Sequence, residues 1–358
     1  MTPEFAVSVV LPTYNRAGEL EAAVNSVLRQ TEPAEHYEVI VVDNNSTDHT
    51  ADLLKHLTSI HPGRVRAVTE RMQGVSYARN AGIAVATSPI VAFFDDDVHV
   101  MPQWISTIRR TFHQHEDIDC IGGKVLPDWS APPPRWLTRT HWAPLALQDL
   151  GDQPVIVSTA NPVGLISANL ACRRKLLERI GGFAPQFQRV KDGIGSLEDD
   201  DWIRRLRQSG GRALYVPELV AQTVVPVNRL TRHYHRRWHS GHGRFYALLR
   251  AAEFERSTKG SILGVPAHVY RSAAVTAASW MGNVLAGRTD EAFTDEVRLR
   301  FLRGFLSQRV RQHFSAGYMG SGDKFSENPA SPTGTLAESK PVPFGRDLAH
   351  KERRLPSR

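Results

Sequence analysis

An apolar segment that ends in three consecutive carboxylates constrains the fold of this chain more than any other feature. Ile90 to Phe94 contains no polar residue, follows Pro89, and leads directly into Asp95, Asp96 and Asp97. A short apolar run of this kind is typical of a strand that is buried on both faces of a parallel sheet. Open α/β sheets bind ligands at the carboxyl edge of their strands, where adjacent carboxylates attract a divalent cation such as Mg²⁺ or Mn²⁺. A solvated turn is the alternative interpretation of the three acids.

Alternating strand and helix patterns surround this segment. Apolar and β-branched runs at Val7–Leu11, Tyr37–Val42 and Arg64–Val68 predict strands. Apolar residues at helical spacing predict helices over Ala17–Arg29 and Val75–Ala86. Strands that alternate with helices form a parallel, doubly wound sheet, so the predicted fold class is α/β. The polar residues expected at its carboxyl edge are Asn15, Asp43 and the three acids.

Length and charge limit the domain organisation and suggest the partners. The chain has 358 residues, enough for one large α/β unit with an appendage. Its formal net charge is +7, and Arg and His concentrate from Arg229 to Arg250, which suggests an anionic partner for the second half. Cys120 and Cys172 lack the spacing of a metal site, and so few cysteines predict a reducing compartment. Residues 1–6 lack the features of a targeting signal, so the expected location is cytoplasmic.

Four motifs, in this order along the chain, resemble those of the family 2 glycosyltransferases of GT-A fold. They are Pro12–Arg16, Val41–Asp48, Ala78–Gly82 and Asp95–Asp97. The resemblance covers the chain from about residue 6 to residue 240. It implies a mostly parallel, doubly wound sheet and the transfer of a sugar from a nucleotide-diphosphate donor, with inversion at the anomeric carbon.

The same resemblance implies roles for individual residues. Thr13 and Asp43 would contact the nucleotide, and Arg79 would help to hold the donor. An exposed salt bridge or a helix-packing contact is the alternative role for Arg79. Asp95 and Asp97 would form the motif that binds a divalent metal, Mg²⁺ or Mn²⁺, together with the diphosphate. The complete set of predicted donor-binding residues is Pro12, Thr13, Tyr14, Asn15, Arg16, Asp43, Asn45, Arg79, Asp95 and Asp96.

A second acidic cluster begins at Glu198, at the start of a predicted amphipathic helix. The loop before it, Phe187–Leu197, contains glycines that allow close approach of a ligand. The helix dipole favours acids at a helix N-terminus, so capping alone could explain this cluster. The resemblance identifies Glu198 and Asp199 with the Glu-Asp motif of the family and implies that Asp199 is the general base. Asp200 is then an additional acid.

The acceptor side of the site is expected to include four residues. The segment Asp128–Trp136 contains three consecutive prolines, which predicts a loop. Trp129 and Trp136 in this segment could stack on a sugar ring or pin the loop to the core. Asn169, in a strand that enters a helix, and Asp201, in the acidic cluster, complete the predicted acceptor side.

One departure from the family pattern concerns the metal. Many relatives carry a His six residues before an Arg-Leu-Thr sequence, where it can act as an additional metal ligand. Here Arg229–Thr231 keeps that sequence, but the position six residues earlier is Thr223. Either the metal has fewer protein ligands, or another side chain replaces the His. Nearby histidines lack paired ligand spacing, and a solvated basic helix accounts for most of them.

The second half of the chain is predicted to contain a basic helical extension. Arg232–Arg250 interleaves Arg and His with aromatic residues, which suits an anionic membrane surface, with nucleic acid as the rival partner. Ser272–Gly287 is uncharged but shorter than a membrane-spanning helix. The predicted divisions are a catalytic domain over residues 1–228, a basic amphipathic helical extension over 229–316, and a disordered tail over 317–358.

These expectations combine into one predicted function. The chain would transfer a sugar to a hydroxyl acceptor, such as a lipid-linked or cell-envelope glycan, while peripheral at the cytoplasmic face of a membrane. A nucleotidyltransferase on a similar sheet is one alternative, but it should open with a Gly-rich loop and a Lys that Pro12–Arg16 lacks. A non-catalytic nucleic-acid-binding protein is the other, and it leaves the acidic clusters without a role. No specific nucleic acid is therefore expected as a partner.

Overall fold

The computed structural model describes residues 6–158, 161–188, 194–249 and 261–319. One compact unit ends at Arg311, and a second begins at Gln312. In the described part of the first unit, a nine-stranded mixed sheet carries helices on both faces and is followed by helices of the predicted extension. The predicted boundary between residues 228 and 229 stays a prediction.

The strands and helices are numbered in chain order. The strands of the large sheet are β1 Val7–Thr13, β2 Tyr37–Asp43, β3 Val65–Thr69, β4 Ile90–Phe93, β5 Val98–Val100, β6 Cys120–Trp129, β7 Val155–Val157, β8 Leu170–Arg173 and β9 Ala213–Val225. A hairpin follows with β10 Ser261–Ile262 and β11 Val265–Pro266. The helices are α1 Ala17–Leu28, α2 Thr50–Ile60, α3 Val75–Val85, α4 Trp104–Gln114, α5 Arg174–Ile180, α6 Glu198–Gln208, α7 Arg232–Leu249, α8 Ala267–Leu285 and α9 Thr289–Met319.

The first half of the sheet is parallel, as the alternation of strands and helices predicts. Strands β3, β2, β1 and β4 are neighbours in that order, and each adjacent pair is parallel. Every residue of β1, β2 and β4 is buried, which explains why these strands are predominantly apolar rather than alternating. The predicted α/β class is confirmed.

The second half of the sheet mixes directions. Strand β8 runs antiparallel to β4 and β6, while β6 and β9 are parallel. Strand β6 extends to Trp129, opposite Val225 of β9, so the loop predicted to begin at Asp128 begins later. The prolines that prevent strand pairing start only at Pro132, and β9 supplies hydrogen-bonding partners up to that point.

Two apolar clusters, one on each face of the sheet, form the core. One contains Leu20 of α1, Leu54 of α2 and Trp104 of α4. The other contains Ala78 of α3, and Leu176 and Trp202 from α5 and α6. The helices therefore cover both faces, and α3 and α6, which carry predicted site residues, lie on the same face.

Glycines lie where α7 contacts the catalytic unit and where α7 contacts α9. A Cβ atom on Gly241 of α7 would lie 1.8 Å from the carbonyl oxygen of Ile194, just before α6. A Cβ atom on Gly304 of α9 would lie 2.1 Å from the carbonyl oxygen of Ser240 on α7, and one on Gly243 would lie 2.1 Å from that of Phe301. These backbones approach so closely that only glycine fits.

The described part of the extension departs from two expectations. His235 of α7 is fully buried, with its ring 5.0 Å from the ring of Trp136, so it does not belong to a solvated face. Helix α9 includes Gly317–Met319, and the remainder of the predicted tail lies outside the described residues. Within the described ranges, every helix is too short or too polar to cross a bilayer.

Candidate active site

The carboxyl ends of β1, β2 and β4 bring predicted donor residues to one edge of the sheet. Thr13 ends β1 directly opposite Asp43 at the end of β2. The hydroxyl of Thr13 donates a 2.8 Å hydrogen bond to Asp96, which follows β4. These side chains therefore lie together where open α/β sheets bind their ligands.

The loops after β1 and β2 hold each other in place. Asn15 adopts a left-handed backbone conformation with φ 51°, which Asn tolerates better than most residues. Its side-chain oxygen accepts the N–H of Thr47 at 2.7 Å, and its own N–H donates to the Ser46 hydroxyl at 2.9 Å. The N–H of Ser46 in turn donates to Asp43 at 2.9 Å. These hydrogen bonds hold the two loops in place relative to each other without a ligand.

Other predicted donor residues differ in their exposure. Tyr14 is 44% exposed and Asn45 is also exposed, so both side chains are free to contact a ligand at this edge. Pro12 is buried within β1, opposite Val42, and is part of the sheet rather than of the loop.

Arginines neutralise the three acids that follow β4. Arg16 donates to Asp97 at 2.8 Å and lies 3.4 Å from Asp96. Burial raises the pKa of Asp96 to about 7, although the charge of Arg16 opposes that shift. Arg79 donates to Asp95 at 2.7 Å. Each acid of the triplet therefore has a guanidinium beside it.

Thr223 occupies the position where relatives carry the additional His. It lies in β9 opposite Val98, and its hydroxyl donates to the backbone carbonyl of Asp97 at 3.1 Å. Arg229 lies 3.8 Å from the Asp97 carboxylate. The described residues contain no group of three or more His, Cys, Asp and Glu side chains arranged to hold a metal. The carboxylates of Asp95 and Asp97 are hard oxygen donors that fit Mg²⁺ or Mn²⁺, so a metal here would have those two acids as its protein ligands.

Arg79 connects the acid triplet to the second acidic cluster. It is 3% exposed, and besides Asp95 it lies 3.5 Å from Glu198 and 4.0 Å from Asp199. The alternative role of an exposed salt bridge is therefore excluded. One guanidinium balances the charge of only one carboxylate, so three carboxylates around Arg79 leave excess negative charge at this point when all are ionised.

Glu198 and Asp199 lie in the first turn of α6 and face the interior of the site. One oxygen of Asp199 accepts the N–H of Ser167 at 3.1 Å. The other oxygen of Asp199 and one oxygen of Glu198 are buried without a hydrogen-bonding partner. Burial and the charge of Glu198 raise the pKa of Asp199, against the opposing effect of Arg79. An unpartnered, basic carboxylate oxygen is suited to receiving a proton from a ligand.

Two predicted acceptor-side residues have structural roles instead. Asn169 is fully buried; it accepts the indole N–H of Trp104 at 2.7 Å and donates to the carbonyls of Lys124 and Leu219, both at 2.8 Å. Its side-chain N–H groups and its side-chain oxygen are engaged in these bonds, and the buried side chain is not accessible to an acceptor.

Asp201 is likewise turned away from the site. It is 2% exposed and pairs with Arg204 at 3.0 Å and Arg205 at 2.8 Å. Arg205 also donates to the carbonyls of Ile180 and Gly182, which ties α6 to the end of α5.

The tryptophans of the proline-containing segment pin it to the protein. The ring of Trp136 lies 5.0 Å from that of His235 and 4.7 Å from that of Phe293 in α9. Trp129 packs against the apolar cluster that contains α1 and α4. Of the two interpretations of these residues, anchoring of the loop is the one their contacts favour.

Two buried amides that shape the site were not predicted. Asn44 donates to the carbonyls of Glu70 and Met72 and accepts the N–H of Gly74 at 2.7 Å, which positions the start of α3. Gln188 accepts the N–H of Ser76 at 2.7 Å. The available signal for Asn44 is its place directly after Asp43, whereas Gln188 has no signal in its local sequence.

Comparison with known proteins provides independent support for the family resemblance. A model described as glycosyl transferase family 2 matches residues 8–181. A glucosyl-dolichyl phosphate glucuronosyltransferase from Haloferax volcanii is 31% identical over 215 residues, which are 58% of this chain and 66% of that protein. The glycosyltransferase AglE of the same organism is 36% identical over 123 residues, which are 33% of this chain and 39% of that protein. The chain thus spans less than two thirds of these curated relatives.

A solved structure shows the same fold. The mannosyltransferase PcManGT from Pyrobaculum calidifontis, in complex with GDP-Man and Mn²⁺, superposes with a TM-score of 0.57 and 20% sequence identity. The superposition covers 86% of this chain and 88% of that one. The mixed sheet and its helices are therefore those of a GT-A glycosyltransferase.

Proposed function

This chain belongs to glycosyl transferase family 2, and we propose that it moves a sugar from a nucleotide-diphosphate donor to a hydroxyl group, with inversion at the anomeric carbon. The observation that carries the proposal is the position of Arg79. Its guanidinium lies between Asp95, after β4, and Glu198 and Asp199, at the start of α6. A donor-binding motif and a candidate base therefore line one site.

The residues around the sheet edge would bind the donor. Thr13, Asp43 and the loop from Tyr14 to Arg16 would contact the nucleotide. Asp95 and Asp97 would hold a divalent metal, whose charge stabilises the departing diphosphate. Arg16 lies close enough to Asp97 to keep positive charge beside the diphosphate as well.

Asp199 would act on the acceptor. A hydroxyl is a weak nucleophile at neutral pH, so its proton must be removed as its oxygen attacks. The oxygen forms a bond to the anomeric carbon while the bond from that carbon to the diphosphate oxygen breaks. The proton passes to Asp199, and the nucleoside diphosphate leaves. The Ser167 N–H, which donates to Asp199 at 3.1 Å, would fix the orientation of the carboxylate.

The acceptor in this proposal is a lipid-linked or cell-envelope glycan at the cytoplasmic face of a membrane. Two observations support it: one relative is named for a glucosyl-dolichyl phosphate, and the basic extension suits an anionic membrane surface. No specific nucleic acid is included, because the acidic clusters form one site rather than a surface for a polyanion.

The substitution Asp199→Asn tests the proposed base. It keeps the shape and much of the capping ability of the residue but removes the basic oxygen. We expect turnover to fall by about 10² to 10⁴-fold, while donor affinity and melting temperature change little. Asp200→Asn is the matched control, because Asp200 is exposed on the same helical turn and should be tolerated.

The donor itself can be identified by thermal stabilisation. A bound ligand raises the apparent stability by mass action, so a panel of nucleotide sugars, with and without Mn²⁺, should yield at least one that raises the melting temperature. A protein that no nucleotide sugar stabilises, or an Asp199→Asn variant with near-normal turnover, would contradict the proposal.

A further inference from the structure

In its C-terminal half, helix α8 contacts α9 through polar side chains. Thr276 is 7% exposed, and both Ser279 and Asn283 donate hydrogen bonds to one oxygen of Asp295, at 2.6 Å and 3.0 Å. Asp295 belongs to α9 and is 8% exposed. The contact between α8 and α9 at these positions is therefore a polar network rather than an apolar core.

The opposite side of α8 is apolar and open to solvent. Met281, Val284 and Leu285 are 52%, 47% and 81% exposed. Towards its N-terminus, α8 has the usual arrangement of a surface helix, because Val269, Tyr270 and Ala273 pack in an apolar cluster with residues of α9. Packing within the described residues leaves the apolar side of its C-terminal half uncovered.

The hairpin before α8 has the same character at its tip. Ile262 is 60% exposed and Leu263 is 42% exposed. Leu263 also has a left-handed backbone with φ 51°, which costs a branched apolar residue more than it costs Asn or Gly. Neither burial nor turn geometry therefore favours Leu at this position. The hydroxyl of Tyr270 donates to the carbonyl of Ile262 at 3.0 Å and so connects the tip to α8.

The extension that carries this apolar surface has an excess of positive charge. Residues 229–316 contain fifteen Arg and Lys against six Asp and Glu, so they carry more positive charge than the +7 of the whole chain. Arg271 is exposed on α8, and Arg298 and Arg303 are exposed on α9. An apolar face on a positively charged extension is complementary to a bilayer that contains anionic lipid.

We propose that this surface docks the protein on an anionic lipid bilayer. The surface consists of the hairpin tip Ile262–Leu263 and the outward side of α8 with Met281, Val284 and Leu285. This inference rests on the proposed function, in which the acceptor lies at a membrane. Trp238 of α7 is not included, because its ring stacks on His242 at 4.3 Å within that helix.

Vesicle flotation of the full chain tests this inference. Vesicles of phosphatidylcholine with phosphatidylglycerol should bind the protein at low salt, and pure phosphatidylcholine vesicles should bind it less. Leu285→Glu should weaken binding to the anionic vesicles about tenfold or more, because a charge replaces an inserted side chain. The matched control is Ile60→Glu, at the 50% exposed end of α2, which should bind like the parent.

A second variant separates docking from folding. Leu263→Asn suits the left-handed backbone, so the melting temperature should stay constant or rise while vesicle binding falls. A protein that ignores anionic vesicles, or equal flotation of both variants and the parent, overturns the inference. A dimer that Leu285→Glu dissociates, without flotation, would make a second copy of the chain the occupant. Nucleotide-sugar binding in the same preparations reports on the proposed function separately, since it does not involve this surface.

Discussion

Arg79 donates a 2.7 Å hydrogen bond to Asp95 from a position inside the protein, where only 3% of the arginine is exposed. The two residues lie 16 positions apart, on α3 and after β4. Since the same guanidinium also lies 3.5 Å from Glu198, the proposed donor half and the proposed acceptor half of the site share one cation. Removal of that cation should affect folding and ligand binding together.

Arg79→Met should lower the free energy of unfolding by about 3 to 5 kcal/mol, because it leaves buried carboxylates without a counterion. Donor affinity should fall as well. Urea unfolding and donor titration measure the two effects. Lys55→Met is the control, since Lys55 is 78% exposed and its ion pair with Asp52 should contribute at most about 1 kcal/mol. An Arg79→Met variant as stable as the parent would show that the carboxylates do not depend on Arg79.

Asp97→Asn should weaken donor binding in the presence of Mn²⁺, because the diphosphate and the acid triplet would repel each other without a bound metal. EDTA should weaken donor binding to the parent in the same way. Calorimetric titration with and without metal measures both effects. Asp52→Asn, on the 75% exposed Asp52 of α2, should leave binding unchanged. Full affinity in both Asp97→Asn and EDTA-treated parent protein would exclude this metal site.

Thr223→Val addresses whether Thr223 replaces the missing His. The Thr223 hydroxyl already donates to the backbone carbonyl of Asp97, so we expect the variant to keep the metal dependence of the parent. Its stability should fall by about 1 kcal/mol, as expected for one lost hydrogen bond. A loss of the response to Mn²⁺ would instead identify Thr223 as a ligand.

His235 should make the protein sensitive to acid. Burial lowers the pKa of His235 from 6.5 to about 4, so between these values the unfolded chain binds a proton that the folded chain does not. Stability should therefore fall as the pH decreases from 6.5 towards 4, by at most about 1.4 kcal/mol per pH unit for this residue. His235→Leu should reduce that loss in unfolding experiments at several pH values. An unchanged pH dependence would mean that His235 stays neutral in both states.

Asn169→Ala tests the structural role of Asn169. The substitution leaves the indole N–H of Trp104 and two buried carbonyls without partners, so the free energy of unfolding should fall by about 3 kcal/mol or more. Purified variant that remains folded should keep the acceptor KM of the parent. A raised acceptor KM with normal stability would restore the acceptor-side role.

Local sequence identifies the first half of the fold because its strands are buried on both faces. Val7–Thr13 and Tyr37–Asp43 are predominantly apolar runs that end in polar residues, and the parallel sheet places those endings side by side. The direction of β8 has no such signal. Its four residues pair with β4 and β6 in the antiparallel sense, which depends on the path of the chain between them.

Some residues of the candidate site can likewise be identified from local sequence, and others cannot. Asp95, Asp97 and Asp199 follow recognisable patterns, whereas the orientation of a neighbouring acid depends on partners far along the chain. Asp201 points inward because Arg205 holds both it and the end of α5. Asn169 is buried because Trp104, 65 residues away, requires an acceptor. A single sequence contains no local pattern from which these pairings could be predicted.

The glycine contacts of the extension determine how a membrane-bound substrate would reach the site. Backbone meets backbone where Gly243 and Gly304 bring α7 and α9 together, and where Gly241 meets the segment before α6. The nearest atoms at those contacts are backbone atoms, which cannot repack as side chains do, so the extension and the catalytic unit should tilt as one body. The distance from the proposed docking surface to Asp199 would then be fixed. The protein would therefore act on acceptors whose hydroxyl lies at that distance above the lipid.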